Sequence, residues 1–238
     1  MSYVMDLPPL DILYEDNHCI AVSKPGGIAS AHFQGDQQTL DRRVKHYLKT
    51  KYGKPGNVFL GIVHRLDKPV SGVLLFARTS KAAARLCEQF REGTIEKVYW
   101  AVVEGDVATD AGTLEDWLRV VRTDAAKRVE VVSARERGAR QALLHYQKIG
   151  EHEGLTLLEV RPQTGRTHQL RVQLAHHGHP VYGDPRYGSV HTFGRAIGLH
   201  ARSLTFLHPV RYEPIALKAE APREWRGRFA YLLKGLRK

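Results

Sequence analysis

Most of the chain is cut into short β-branched and apolar runs, each closed within a few residues by Gly, Pro, Asn or Asp. That punctuation leaves little room for long helices and sets the expected architecture, strands of about 4–8 residues joined by tight turns. Residues 10–14, 19–23, 57–63, 72–77, 95–103, 128–132, 142–149, 155–161 and 203–207 read as strands. The first two flank Glu15-Asp16-Asn17-His18, and 142–149 and 155–161 flank Gly150-Glu151-His152-Glu153-Gly154, so two hairpins are expected. Helical periodicity is scarcer. Leu40, Val44, Tyr47 and Leu48 fall on one helical face. Ser80 is expected to cap a second helix whose Ala83, Leu86, Cys87 and Phe90 form an apolar stripe, with Cys87 a small core residue. A third runs from about residue 167 to 177 and stops at Gly178, and Pro180 cannot prolong it. Strands outnumber helices and no repeat or low-complexity linker interrupts them. The expected fold is therefore α+β, one domain over residues 1–238 with a mixed, mainly antiparallel sheet.

Composition narrows the function classes. A 238-residue chain with 42% hydrophobic and 26% charged residues can bury a real core. It has no apolar run long enough to span a bilayer and no basic start followed by an apolar stretch. Its cysteines, Cys19 and Cys87, are too few for a disulfide scaffold or a four-cysteine zinc site, and a cytoplasmic, metal-free protein without a membrane partner is expected. The net charge is +11, and it is uneven: Arg161 to Lys238 holds 14 Lys/Arg against 4 Asp/Glu, and 11 of the 14 are arginine. Arginine's planar fork suits phosphate, so a nucleic acid is the natural partner, the plainer alternative being a solvated basic surface.

Three motifs carry candidate chemistry. His64-Arg65-Leu66-Asp67-Lys68-Pro69-Val70-Ser71-Gly72 lies between two apolar runs and places Asp67 on a turn fixed by Pro69 and Gly72. Asp67 is either a nucleophile or base on a rigid loop, or a turn-former capping its own backbone. Thr164-Gly165-Arg166-Thr167-His168-Gln169-Leu170-Arg171 is a glycine turn running into a helix, so Arg166 and Arg171 either make an anion site, for an RNA phosphate or a carboxylate such as Asp67, or decorate the helix surface. In Glu96-Lys97-Val98-Tyr99-Trp100 strand alternation puts Lys97 and Tyr99 on one face, where Tyr99 could stack on a base, move a proton or pair across a sheet. The histidines after His168 (His176, His177, His179, His191 and His200) lack metal-site spacing and read as polar RNA-face or satisfied core groups. Mononucleotide, dinucleotide and serine-hydrolase signatures do not occur.

Taken in order, these segments resemble the RluA family of RNA pseudouridine synthases. The resemblance rests on Leu13-Tyr14-Glu15-Asp16, Ser23-Lys24-Pro25-Gly26-Gly27, His64-Arg65-Leu66-Asp67, Lys97-Val98-Tyr99, Thr164 to Arg171, Gly183-Asp184-Pro185-Arg186-Tyr187-Gly188 and Leu199-His200-Ala201. It implies the pseudouridine synthase fold with a central RNA-binding cleft. It further implies Asp67 as the catalytic aspartate, Tyr99 as the active-site tyrosine, Arg171 as the arginine paired with that aspartate, and Arg65 as the residue filling the space of a flipped uridine. Lys97, Arg166 and His168, from the matching motifs, are read with Arg65 as RNA contacts. Val70 stands where the family usually has threonine, and a catalytic domain without an S4 module is expected, with the basic C-terminal third gripping RNA. The implied reaction, uridine to pseudouridine in ribosomal or transfer RNA, needs no cofactor, and a monomer is expected. The rival readings are a catalytically silent RNA-binding module and a nuclease built on His64, Asp67 and His168. The segments 110–127 and 191–198 are taken as specificity loops.

Overall fold

The computed structural model describes residues 9–32, 38–122 and 127–234. Its strands are β1 (Asp11–Glu15), β2 (Cys19–Lys24), β3 (Gly61–Ile62), β4 (Ser71–Ala77), β5 (Glu96–Glu104), β6 (Ala111–Arg122), β7 (Lys127–Val132), β8 (Arg140–His152), β9 (Leu155–Pro162), β10 (Leu199–Leu207) and β11 (Pro214–Lys218). The helices are α1 (Leu40–Lys51), α2 (Ser80–Glu92), α3 (Gln169–His176), α4 (Arg223–Arg228) and α5 (Ala230–Lys234). The strands form one sheet in the order β1-β2-β4-β10-β5-β9-β8-β6-β7, with β3 added to β4 and β11 to β10. Among the described residues only β10 and β4 run parallel, so the sheet is mixed and mainly antiparallel, as the sequence suggested.

Both expected hairpins form. In β1–β2 the Asp16 carboxylate accepts the N–H groups of His18 and Cys19 and closes the turn. Asp16 also accepts from His208 Nε2, whose Nδ1 accepts the N–H groups of Val210 and Arg211. This cluster with Cys19 is thus a hydrogen-bonded clamp between two turns. The β8–β9 connection is tighter than the five residues expected: Glu153 and Gly154, at φ 49° and 70°, make a two-residue turn, and both strands lengthen toward it.

Four local expectations are corrected. Of residues 57–63 only Gly61–Ile62 pairs, while Leu60 and Val63 bury their side chains from irregular backbone. Residues 111–122 of the expected loop are strand β6, and 123–126 lie outside the described residues. The α2 cap is Thr79, whose Oγ1 accepts the Ala82 N–H, with Ser80 already inside the helix. Cys87 is exposed, because the buried stripe runs through Ala82 and Leu86, with Ala83 and Phe90 at its margin. α4, α5 and β11 carried no sequence expectation; short segments with two or three inward residues leave little periodic signal.

The two faces of the sheet have separate coverings. On one, Ile20, Val22, Leu74, Phe76, Ala101 and Val103 pack beneath α1 (Leu40, Val44, Leu48) and α3 (Leu170, Leu174). On the other, the alternate residues Ala21, Val73 and Leu75 meet Ala82 and Leu86 of α2, and Val102 and Leu157 meet Trp225 and Phe229 of α4 and its end. β4 is buried along its whole length, which is why it reads as an unbroken apolar run. Where it meets β10, Ser71 donates to His200 Nδ1 at 2.9 Å and His200 Nε2 donates to the Ala219 carbonyl at 3.1 Å. Burial pulls the His200 pKa down to about 4, in keeping with that neutral tautomer.

Gly72 makes this junction feasible. At φ 116° it lies against Ala201 so closely that a Cβ would collide with the Ala201 carbonyl and sit 2.6 Å from its nitrogen. Gly72→Ala should therefore cost at least about 2 kcal/mol through strain and overpacking. A fall in melting temperature of roughly 4–8 °C is expected; an unchanged melt would show that the strands can separate without cost.

Candidate active site

Asp67 sits on the β3–β4 loop, which is fastened from three directions. Ser30 Oγ donates to the Leu66 carbonyl at 2.6 Å and accepts the Leu66 N–H at 3.0 Å. Gly27 N–H reaches the Lys68 carbonyl and Ile197 N–H the Pro69 carbonyl, while the loop closes on itself through Val70 N–H to the Asp67 carbonyl. Beneath it the buried Lys24 ammonium donates to three carbonyls, Ile28 (2.7 Å), Pro25 (3.1 Å) and Lys68 (3.1 Å). The Ser23-Lys24-Pro25-Gly26-Gly27 segment is thus the cradle of the loop. Its glycines are needed because a Cβ on Gly26 would lie 2.5 Å from that of Ala196. Burial pulls the Lys24 pKa down to about 7; the Asp67 charge works against the shift and the Lys68 charge adds to it.

Opposite stands Arg171, in the first turn of α3 and only 5% exposed. Its Nε and Nη2 grip both oxygens of Asp184 at 2.6 and 2.9 Å, and its Nη1 donates to Asp67 Oδ2 at 2.9 Å. The Tyr187 ring lies under the guanidinium, 5.1 Å from its centre. Burial disfavours the Arg171 charge, but the two carboxylates outweigh it and drive the pKa further up, so this cation is permanent. His168 starts α3 in the left-handed region, φ 52°, and its Nε2 lies 3.8 Å from the same Asp67 oxygen, beyond hydrogen-bond reach. Its Nδ1 meets the Tyr187 hydroxyl at 2.7 Å. Burial lowers its pKa against the pull of Asp67, so the ring is neutral at neutral pH. Both Asp67 contacts engage Oδ2, which leaves Oδ1 for a substrate.

Tyr99 lies on β5 between Val160 and Ala201 and packs against the same cluster as α1 and α3. Burial first, then the negative Asp67, push its pKa up, so the phenol keeps its proton and cannot serve as a phenolate base. Lys97 lies past a bulge, opposite Leu204, and its charge adds to the burial that holds His64 at about 3. The His64 ring stacks on Phe90 at 4.7 Å and its Nε2 accepts the Leu75 N–H at 2.9 Å, so it closes the gap beside β4 and is not available as a catalytic base. This removes one leg of the nuclease reading. Arg65 is exposed, two residues from Asp67. Arg166 is exposed too, with Nε donating to the Gln141 carbonyl at 3.0 Å, while its backbone N–H is taken by Gln169 Oε1. The structure thus brings Asp67, Arg171 and His168 together, sets Tyr99 within their field, and leaves Arg166 and Lys97 outside the cluster. Sequence reasoning gave no role to Asp184 or Lys24. One signal was visible: an aspartate among eleven arginines invites a buried pair.

Known proteins resemble this chain over most of its length. Residues 18–176 match the family described as RNA pseudouridylate synthase. The tRNA pseudouridine synthase C of Haemophilus ducreyi is 33% identical over 235 residues, covering 91% of this chain and 93% of its own. The ribosomal large subunit pseudouridine synthase D of Zymomonas mobilis is 34% identical, covering 94% of this chain and 73% of its own. Among solved structures, human RNA Pseudouridylate Synthase Domain Containing 4 superposes with a TM-score of 0.75 at 25% identity, over 95% of this chain and 93% of that one. The chain belongs to the RNA pseudouridylate synthase family, within its RluA type. It is an isomerase that acts on RNA.

Two outcomes are expected of this geometry. Asp184→Asn should loosen Arg171 and lower kcat roughly 10–100-fold by misplacement, with KM nearly unchanged; steady-state kinetics with kcat unaffected would show that Asp67 alone orients the guanidinium. Lys24, at about 7 in the fold against 10.5 as a free side chain, resists protonation when folded. Its contribution to stability is therefore greatest above pH 10.5 and is lost as pH falls to 7. Denaturation of wild type and Lys24→Met should accordingly show the variant's relative stability falling as pH rises from 7 to 10; a pH-independent difference would contradict the shift.

Proposed function

We propose that this chain isomerises uridine to pseudouridine in ribosomal or transfer RNA, with Asp67 as the catalytic carboxylate. The observation that carries this is the 2.9 Å contact between Asp67 Oδ2 and a buried, permanently charged Arg171. The names of the relatives, one acting on tRNA and one on the large ribosomal subunit, support both RNA classes.

The chemistry must break the N1–C1′ bond and form a C5–C1′ bond. The target base cannot be reached inside a stack, so it swings out into the cleft. Arg65, exposed and beside Asp67, fills the gap, and the neutral Tyr99 ring offers a stacking surface. Attack at C1′, attack at C6 and removal of a sugar proton all begin with the Asp67 carboxylate against the nucleoside, and Oδ1 is the oxygen available for it. The freed uracil rotates, C5 bonds to C1′, the C5 proton leaves to the carboxylate or to water, and N1 gains a proton. Electrons and atoms balance within the nucleotide, so no redox cofactor is required. His168, as a neutral ring, offers RNA a hydrogen bond and not a charge.

Asp67→Asn keeps the shape and removes the charge of the carboxylate. Tritium release from RNA carrying 5-tritiated uridine should vanish, while RNA affinity stays close to wild type. Retained release would overturn the assignment.

A further inference from the structure

The charge count pointed to the C-terminal third, but the structure absorbs or displaces much of it. Arg171 is held by Asp184, Arg202 by Glu220 at 3.0 Å, and Arg161 by Glu159 at 2.7 Å. Arg211 bonds Asp16 and Glu213. Arg223, Arg226 and Arg228 ride on α4, which packs through Trp225 on the face of the sheet away from Asp67.

A different basic element lies on the catalytic face. Between Arg42 and Lys54 the chain has six Lys/Arg and no Asp/Glu. Leu40, Val44 and Leu48 of α1 are buried against the sheet. Arg42, Lys45, His46 and Lys49 follow the i, i+3, i+4, i+7 spacing of the opposite face, and Arg42, His46 and Lys49 are exposed. Lys51 turns to Glu15 at 2.8 Å. Both ends of α1 are anchored. At its start the N–H groups of Leu40 and Asp41 bond the carbonyls of Ala29 and Ser30, and Ser30 is the residue that clasps Leu66 next to Asp67. At its end Tyr47 and Tyr52 donate to Glu15. The helix therefore leads away from the catalytic loop for about 18 Å as a rigid rod with a cationic outer edge.

We propose that this outer edge of α1, continued by Lys54, is a phosphate-binding track that holds the RNA strand flanking the target uridine. The inference rests on the RNA-isomerase reading above and adds to it the path of the substrate. A fixed row of cations suits a regular row of phosphates, and such contacts position RNA without reading its sequence.

The test pairs two sets of variants on the intact protein: Lys45→Gln/Lys49→Gln/Lys54→Gln on α1, and Arg223→Gln/Arg226→Gln on α4. Fluorescein-labelled total tRNA is titrated across a salt series, and tritium release is followed at saturating enzyme on 5-tritiated total RNA from cells lacking the protein. Loss of three phosphate contacts should reduce the slope of log affinity against log salt by about 2–3. The single-turnover rate at saturation should stay at the wild-type value, and a triple arginine replacement should keep the slope. The α4 pair should leave the slope unchanged. An unaltered slope in the α1 variant, or a slope lost only in the α4 variant, overturns the track. Absence of tritium release from the wild type would instead strike the isomerase reading, and the binding slopes would still decide the track.

Discussion

One guanidinium shared by two carboxylates organises this molecule. Arg171 presents one edge of its plane to Asp184 and a remaining N–H to Asp67. A lysine could not do this, since a point charge has no second edge to fix a direction. The unequal division matters. Asp184 is almost fully buried and takes two bonds, whereas the Asp67 side chain keeps 28% of its surface open and takes one. The first carboxylate neutralises and orients; the second is held in place yet remains free to react. Removing Arg171 would leave two carboxylates facing each other without their cation, one of them buried, at a cost of several kcal/mol. The Gly183-Asp184 turn, the left-handed start of α3 at His168 and the Tyr187 ring under the guanidinium all converge on keeping that one group in place.

The support for Asp67 is of a different kind. Its loop is gripped through its own backbone carbonyls and N–H groups, by the side chains of Ser30 and Lys24 and the N–H groups of Gly27 and Ile197, and so requires a close approach of chains. That explains why glycines recur around it. At Gly26 and Gly72 a single methyl group would push apart Ala196 or Ala201. The parallel junction of β4 and β10 and the cradle under the catalytic loop are two parts of one tightly packed seam.

Much of this was legible in the sequence and some was not, for identifiable reasons. Alternation and turn residues revealed the hairpins and the buried run of β4, because strand periodicity is local. Residues 57–63 looked like a strand but lack a partner over most of their length, and pairing is not a local property. Cys87 fell one position outside the buried stripe of α2, a displacement of about 100° that an apolar residue at helical spacing conceals. The motif residues Asp67, Arg171 and Tyr99 could be picked out, but Asp184 and Lys24 could not be given roles, since those depend on partners 13 and 44 residues away. Summed charge misled in the same way. It counts arginines without seeing the acids that fold against them.

The electrostatics around Asp67 are simpler than the number of ionisable neighbours suggests. His64 is held neutral by burial at about 3, His168 is shifted downward, and Tyr99 is shifted upward beyond its ordinary value. Neither His64 nor Tyr99 changes charge across the neutral range. Arg171 does not titrate there either. The exception is Lys24, which reaches about 7 under the catalytic loop and feels the Asp67 charge. Because its three hydrogen bonds hold the carbonyls of Pro25, Ile28 and Lys68, loss of its proton withdraws both a nearby positive charge and a donor from the cradle. A site whose reacting carboxylate is steadied by a fixed cation can thus still carry a pH response near neutrality, and that response acts through the position of the loop.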